Sequence, residues 1–332
     1  MKKISFSDFR FLFRILAVWF ILVALFLNIG TGEFSKPDEQ TKEKNVLYSV
    51  TDASGTTLEF YSKPQNIISL GQGSDEILFS LVSPARIAAL TYLADDPGIS
   101  AIAGKASAVK GRVQTNNIEG ILSFNPDLVI MPDWGGVELA GQLRDAGVNV
   151  YIYKTPVTIS EIEKSILEIA AAVGENGRGK ELAAEMEKRL ANVADKVKAI
   201  PADKRRRVVV LSFMGPFGAE GSTFDDICRY VNVENCIAEL KIPQNALYSK
   251  EILPQLNPDL LVLPSWDYGV QKENPEAFKN EVMNDPAYQT VDAIKNRQVF
   301  HITEKYMYSI SQNVVFAVEE LARTAYPELF ND

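Results

Sequence analysis

The chain has 332 residues, of which 46% are hydrophobic and 23% are charged, and its formal net charge is −9. This length and composition fit a globular protein with two domains. The acidic balance argues against a nucleic-acid-binding surface, because phosphate groups require clustered Lys and Arg side chains. The basic run at residues 204–207 directly precedes an aliphatic stretch and is interpreted as the solvated entry to a strand.

The N-terminus has the pattern of an export signal. Basic residues precede an apolar run at residues 15–27, which suits a signal-peptide core and is short for a membrane span. Small residues at Gly30 and Gly32 predict cleavage near Glu33, so residues 1–32 would be a signal peptide. An uncleaved, tilted anchor is the alternative.

Either outcome predicts an exported protein, in the periplasm or on the outer face of the cytoplasmic membrane. No Cys lies near the end of the apolar run, which excludes lipid attachment at a signal-peptide cysteine. Residues 33–45 are polar and charged, as is typical of a flexible tether.

Strands and helices alternate in the predicted N-terminal lobe, residues 46–175. A hairpin is expected first, then strands at 66–70, 86–90, 127–131 and 148–153 and helices at 117–124, 137–146 and 159–173. Ser74 is predicted to cap a further helix, with Asp75 and Glu76 in its first turn, where the helix dipole favours acids. Such alternation predicts an α/β fold with a mostly parallel sheet covered on both faces.

One long helix is predicted at residues 176–200, between the two lobes. Its apolar residues fall on one helical face, and the stretch from Lys180 to Ile200 contains no Gly or Pro, so a rigid link is expected. The C-terminal lobe, residues 201–332, repeats the alternation. Strands are predicted at 207–212, 260–263 and 298–302, with a loop that runs from the first strand through Gly221. One helix is predicted to begin at Thr223 with Ser222 as its cap, and another to extend from Asn313 to Ala325.

A long sequence repeat relates the two lobes. Residues 117–134 and 249–266 align without a gap, and both contain a Glu, the triplet Asn-Pro-Asp, an aliphatic run, a Pro and a Trp in the same register. Chance rarely produces such a match over unlike residue types. The repeat therefore predicts two related halves that hold a ligand in a cleft between them.

Aromatic residues follow several predicted strands, where open α/β sheets bind ligands. Their flat rings suit a large, rigid, partly apolar ligand. Each repeat Trp follows a Pro that ends its strand, which favours the cleft, whereas Phe213 and Tyr306 could equally fill the core of a lobe. The candidate ligand-binding residues are Tyr92, Trp134, Gly135, Phe213, Met214, Trp266, Tyr268 and Tyr306.

The repeated glutamates, Glu119 and Glu251, have two interpretations. A Glu in the first turn of a helix is favoured by the helix dipole. The dipole does not require the same residue twice, so a pair of surface carboxylates that meets basic residues on a two-fold partner is the preferred hypothesis.

The cysteines also leave two possibilities: Cys228 on a buried helix face with Cys236 in the following loop, or a disulfide between them.

Enzymatic chemistry finds little support, and no catalytic residue, metal site or cofactor is predicted. His301 is the single histidine, so a multi-histidine metal site cannot form. The Gly71-Gln-Gly73 turn lacks the third glycine of a dinucleotide loop, and no phosphate-binding P-loop or nucleophile elbow occurs. A mechanism based on carboxylates remains open.

Several short segments together identify a family resemblance. They comprise residues 64–70, 75–79, 117–119, 125–130, 142–148, 221–227, 249–251, 257–259, 293–299, 311–312 and 317–321. Through them, the chain from Val46 to Phe330 resembles the helix-linked substrate-binding proteins of ABC importers, which bind vitamin B12, ferric siderophores and haem. The resemblance implies two Rossmann-like lobes with mostly parallel sheets, bridged by one long helix, with modest opening on binding.

The resemblance also implies a function. Glu119 and Glu251 match the two docking glutamates of the family, which meet arginines on the membrane permease dimer, while Trp134 and Trp266 would flank the ligand. A monomer that captures an iron chelate, either a ferric siderophore or haem, is expected; a cobalamin or other corrinoid is the alternative ligand. An exported enzyme and an anchored sensor that use the same cleft are the alternatives from other classes.

Three features depart from the family pattern. The lipid-bearing cysteine of many relatives is missing, which is consistent with a periplasmic protein or an uncleaved anchor. Residues 231–233, Val-Asn-Val, replace the usual glycine pair. The stretch from Lys105 to Arg112 is unusually basic; a solvated loop is the preferred interpretation, and contact with an anionic chelate is the alternative.

Overall fold

The computed structural model describes residues 45–213, 215–240, 249, 251–266 and 274–330. The predicted signal peptide and all but the last residue of the predicted tether lie outside these residues, as do Met214 and Tyr268. Within the described ranges, no helix combines the length and the apolar character that a bilayer crossing needs.

Five parallel strands form the sheet of the N-terminal lobe. After the antiparallel hairpin of β1 (Tyr48–Thr51) and β2 (Thr57–Phe60), they are β3 (Ile67–Ser69), β4 (Ile87–Thr91), β5 (Gly111–Val113), β6 (Leu128–Pro132) and β7 (Asn149–Tyr153). Their order is β5-β4-β3-β6-β7. Both β3 and β6 are buried throughout, which explains why β6 is a continuous apolar run without polar alternation.

The C-terminal lobe contains a second sheet. Its strands are β8 (Arg207–Ser212), β9 (Gly215–Phe217), β10 (Glu234–Asn235), β11 (Leu260–Leu263) and β12 (Val299–His301). Parallel pairs give the order β10-β8-β11-β12, and β9 folds back antiparallel on β8. The prediction of a plain loop after β8 was therefore wrong in part.

Helices cover both sheets. They are α1 (Gln72–Leu81), α2 (Ile118–Leu122), α3 (Val137–Asp145), α4 (Ile159–Ala172), α5 (Asn176–Val197), α6 (Thr223–Val231), α7 (Ile252–Leu256), α8 (Pro275–Asn284), α9 (Asp292–Lys295), α10 (Glu304–Met307) and α11 (Val314–Ala325). Short 3-10 turns occur at Pro84–Arg86, Tyr92–Asp95, Ala106–Ala108, Asp133–Gly135, Ala202–Lys204, Ala238–Leu240, Pro286–Tyr288 and Pro327–Leu329.

The long helix α5 buries the face that its apolar periodicity predicts. Its buried side chains include Leu182, Met186, Leu190, Val193 and Val197. These residues belong to a hydrophobic core that also contains strand residues of both sheets, such as Ile67 and Val208. Two further cores each belong to one lobe. Because the lobes share a core, a large separation would expose apolar surface to water at a high free-energy cost.

The structure corrects the predicted helix cap at Ser74 and decides between the two possibilities for the cysteines. Ser74 does not cap α1, because the helix begins at Gln72 with Gly71 as the capping residue. The Ser74 hydroxyl donates within the helix to the Gly71 carbonyl (2.9 Å). Cys228 and Cys236 are both buried and both free, so the disulfide alternative is not formed.

Candidate ligand-binding cleft

The two copies of the sequence repeat share backbone features at the Asn-Pro-Asp triplet. Asn125 and Asn257 both have a left-handed backbone, with φ of 48° and 40°, which Asn tolerates better than most residues. Asp127 accepts a backbone hydrogen bond two residues before β3 (2.6 Å), and Asp259 accepts one from the first residue of β8 (2.9 Å). The Asn-Pro-Asp triplet is thus explained by folding alone.

The repeated glutamates have no such structural role. Glu119 and Glu251 are exposed, and neither forms an ion pair within the part of the chain that the structure describes. The Asn117 side chain already caps α2 by accepting from the Gly120 N–H (2.9 Å). Glu119 lies in the first turn of α2, and Glu251 is the residue directly before α7.

Two candidate aromatic residues of the N-terminal lobe are strongly exposed. Tyr92 directly follows β4 and is 59% exposed, and Trp134 follows β6 and is 63% exposed. Gly135 lets the turn that carries Trp134 pack closely against β6, because a Cβ at Gly135 would lie 2.6 Å from the Met131 methyl group. Exposed rings at strand ends are expensive to leave in water and are typical of binding surfaces.

Trp266 connects the two lobes. Its indole lies directly against the backbone of Gly98, so that a Cβ added at Gly98 would overlap the ring. Gly98 follows the turn after β4, and the carboxyl edges of the two sheets therefore face each other across this contact. The backbone N–H of Trp266 donates to Glu304 (2.8 Å), whereas its buried indole Nε1 has no acceptor among the described residues.

Phe213 and Tyr306 are half-buried and pack on core residues. The Phe213 ring lies 5.0 Å from Phe278, and the Tyr306 ring lies 4.8 Å from Phe316. This is the core alternative that the sequence left open for both, although each ring keeps some exposure. Met214 and Tyr268 lie outside the described residues, so their predicted role stays a prediction.

Arg112 is one of the three basic residues in the stretch that departs from the family pattern, and it has a structural role. Its guanidinium donates to both carboxylate oxygens of Asp95, at 2.6 and 2.7 Å, and to three nearby backbone carbonyls. Asp95 ends the turn that begins at Tyr92, so the pair fixes this turn on the sheet. With its donors occupied, Arg112 is a structural residue, whereas Lys105 and Lys110 are exposed to solvent.

His301 is held inside the second lobe. Its Nδ1 lies 2.5 Å from the Pro264 carbonyl oxygen, and its Nε2 lies 3.3 Å from a Glu276 oxygen. Across the described ranges, no group of three or more His, Cys, Asp or Glu side chains is arranged to hold a metal ion.

The sequence analysis missed a pair of buried carboxylates on α1. Asp75 and Glu76 are both fully buried, whereas the sequence analysis explains them only as first-turn acids that the helix dipole favours. Asp75 accepts from the Thr91 hydroxyl at 2.5 Å and from the Thr91 backbone. Burial raises the pKa of Asp75 to about 8 and also raises the pKa of Glu76. The one sequence signal for this burial is the position of both acids directly before the apolar run at residues 77–79.

Folding stability should depend on pH through Asp75. The pKa of this group is about 8 in the folded chain and near 4 in an unfolded one. Between these values the folded chain keeps a proton that the unfolded chain releases, so stability is greatest at the acid end and falls as pH rises. In Asp75→Asn, the unfolding free energy should vary less across this window, by on the order of a few kcal/mol.

Urea unfolding at several pH values across this window measures the effect in both proteins. Because Glu76 is unchanged in both proteins, the difference between their pH profiles measures the contribution of Asp75. Parallel pH profiles for the two proteins would show that Asp75 does not carry the shift.

Comparisons with known proteins agree with this architecture. A family model described as periplasmic binding protein matches residues 67–306. The uncharacterized ABC transporter substrate-binding lipoprotein YvrC of Bacillus subtilis is 24% identical over 322 residues, which cover 94% of this chain and 97% of YvrC. A cobalamin-binding protein of Halobacterium salinarum is 23% identical over 226 residues, and the match spans only 57% of its length.

Solved structures share the fold. The periplasmic heme-binding protein RhuT from Roseiflexus sp. RS-1 superimposes with a TM-score of 0.66 at 22% identity, covering 80% of this chain and 99% of RhuT. The predicted arrangement of two α/β lobes with a long connecting helix is therefore confirmed at the level of the fold.

Proposed function

The chain belongs to the periplasmic binding protein family, and from that premise we propose that it is the solute-binding component of an ABC importer. The observation that carries the proposal is the pair of exposed glutamates, Glu119 and Glu251, at equivalent positions of two related lobes. Glu119 lies in the first turn of α2, and Glu251 directly precedes α7. A matched acidic pair beside a cleft suits a ligand receptor that docks on a two-fold membrane partner.

We propose an iron chelate, either a ferric siderophore or haem, as the ligand. The exposed rings of Tyr92 and Trp134 offer flat apolar surface to a large ligand. A tyrosine can also ligate haem iron, so a single histidine does not argue against haem. Relatives named for haem binding and for cobalamin binding both match, and a corrinoid is therefore the second candidate.

The proposed location is outside the cytoplasmic membrane. The N-terminal export pattern supports it, and so does the printed name of the relative that covers nearly the whole chain. The matching relatives are named as binding proteins, which favours a receptor over an exported enzyme or an anchored sensor. Recovery of a chemically unchanged ligand after incubation would argue against the enzyme.

Ligand titration tests the proposal. Haemin, a ferric siderophore and cobalamin are added separately to protein from Glu33 to Asp332, while tryptophan fluorescence and absorbance are followed. We expect saturable quenching by one of the iron chelates. Trp134→Ala should weaken its binding about tenfold or more, since a buried aromatic contact contributes about 2 kcal/mol.

Val137→Ala is the matched control for this substitution. Val137 is an exposed apolar residue close to Trp134 in the chain, and its truncation should leave affinity within about twofold. Saturable binding of cobalamin alone would select the corrinoid. Binding of none of the three probes would contradict this class of ligand.

A further inference from the structure

Glu76 is a buried carboxylate whose two oxygens serve different parts of the molecule. Its Oε1 accepts from the backbone N–H of Ala101 (2.8 Å) and from the side chain of Gln72 (2.6 Å). The same Gln72 amide donates to the Ile99 carbonyl (3.1 Å). Glu76 therefore holds the segment 99–101 of its own lobe against α1.

The other oxygen of Glu76 faces the C-terminal lobe. Its Oε2 accepts from the hydroxyls of Ser309 (3.2 Å) and Ser311 and from the side-chain amide of Asn313 (2.8 Å). These donors belong to the segment that joins α10 to α11. Hydrogen bonds to a carboxylate are stronger than those between neutral groups, and burial strengthens them further.

The packing around Glu76 leaves little space between the lobes. A Cβ added at Gly73, on the same helix, would lie 2.5 Å from the Ile310 side chain. Other hydrogen bonds also cross between the lobes: the Gln312 side chain donates to the Ser80 hydroxyl (3.0 Å), and the Ile159 backbone N–H donates to the Asp226 carboxylate (2.7 Å). The lobes would thus remain joined without Glu76.

The segments that Glu76 holds lead to the contact between Trp266 and Gly98. Gly98 lies three residues before Ala101, on the N-terminal side of the cleft. On the other side, Glu304 accepts from the Trp266 backbone (2.8 Å) and opens α10, which leads to Ser309. Glu76 therefore bonds to two segments that lead along the chain towards both partners of the contact across the cleft.

We propose that Glu76 is a positioning residue of the cleft, which sets how closely Trp266 approaches Gly98 and hence the closed state of the protein. The proposal rests on the proposed function only in treating this cleft as the ligand site. Closure of the cleft around a ligand would then depend on the orientation that Glu76 maintains. The side chain is buried and acts through the two segments.

A tryptophan reporter tests the proposal without any ligand. The chain contains three Trp, so replacing Trp19 and Trp134 by Phe leaves Trp266 as the single emitter. We expect Glu76→Gln to make Trp266 emission shift to the red and its quenching by acrylamide increase. Loss of one charge-assisted hydrogen bond should move the equilibrium between closed and open forms about tenfold.

Two further variants separate positioning from a general loss of stability. Asp75→Asn replaces the neighbouring, equally buried carboxyl group, whose hydrogen-bond partner Thr91 lies in the same lobe. Ser311→Ala removes a donor from the opposite lobe and leaves Glu76 in place. We expect the quenching change in Glu76→Gln and Ser311→Ala but not in Asp75→Asn.

Equal changes in all three variants, or no change in Glu76→Gln, would overturn the proposal. If Glu76→Gln does not fold, Ser311→Ala and Asn313→Ala decide the question in its place. Because acrylamide is the only probe, the result is independent of which ligand the protein binds. A failed ligand titration with a positive quenching result would reject the proposed ligand and retain the role of Glu76.

Discussion

Reversal of both repeated glutamates, Glu119→Arg with Glu251→Arg, is expected to abolish delivery of the ligand while leaving its capture unchanged. Both side chains are exposed, so folding should tolerate the change. The resemblance places arginines opposite them on the permease, and like charges brought together at an interface cost several kcal/mol. Uptake of labelled ligand measures delivery, and fluorescence titration measures capture.

A charge-matched control makes this experiment specific. Glu187 and Glu328 are also exposed but lie outside the repeat, and reversing both changes the net charge by the same amount. We expect uptake to survive in this control and to fail in the variant of the repeated pair. Normal uptake by Glu119→Arg with Glu251→Arg would reject the docking assignment.

The repeat shows what one sequence can reveal about both fold and site. Two copies of Asn-Pro-Asp predict two lobes. The triplet recurs because each Asn adopts a left-handed backbone and each Asp accepts a backbone hydrogen bond near the start of a strand. When the Asn-Pro-Asp triplet is set aside, the remaining matches between the two copies include the Glu pair and the Trp pair. Glu119 and Glu251 then stand out because nothing in the described fold requires them.

The short strands that begin with glycine could not be predicted from the sequence. Both β5 and β9 are three residues long and begin with Gly, which favours turns, so their patterns resemble loops. By contrast, the 22-residue helix α5 has enough repeats of its apolar period for its buried face to be predicted.

The carboxylate Glu76 could not be predicted for a different reason. Its partners Ser309, Ser311 and Asn313 are 233 to 237 residues away in the chain. No local pattern indicates that such distant groups will meet. An acid near a helix N-terminus has a sufficient local explanation in the helix dipole, and only the packed structure shows its burial.

Gly98→Val is expected to keep the cleft from closing. A side chain at this position would overlap the Trp266 indole, so the ring must move or the lobes must separate. Overpacking of this kind costs about 1–3 kcal/mol, which corresponds to roughly a five- to hundredfold loss of affinity for a ligand that binds the closed form. Acrylamide quenching of Trp266 and ligand titration measure the two consequences.

Gly104→Val provides the control for this substitution. Gly104 lies in the same region of the chain, but a Cβ there would meet no atom within 4 Å. The two variants remove equal backbone freedom from the unfolded chain, so their difference isolates the contact with Trp266. Equal affinity and equal quenching in both would mean that the indole moves aside without cost. In that case closure could not depend on the approach of Trp266 to Gly98, and the positioning role of Glu76 would lose its mechanism.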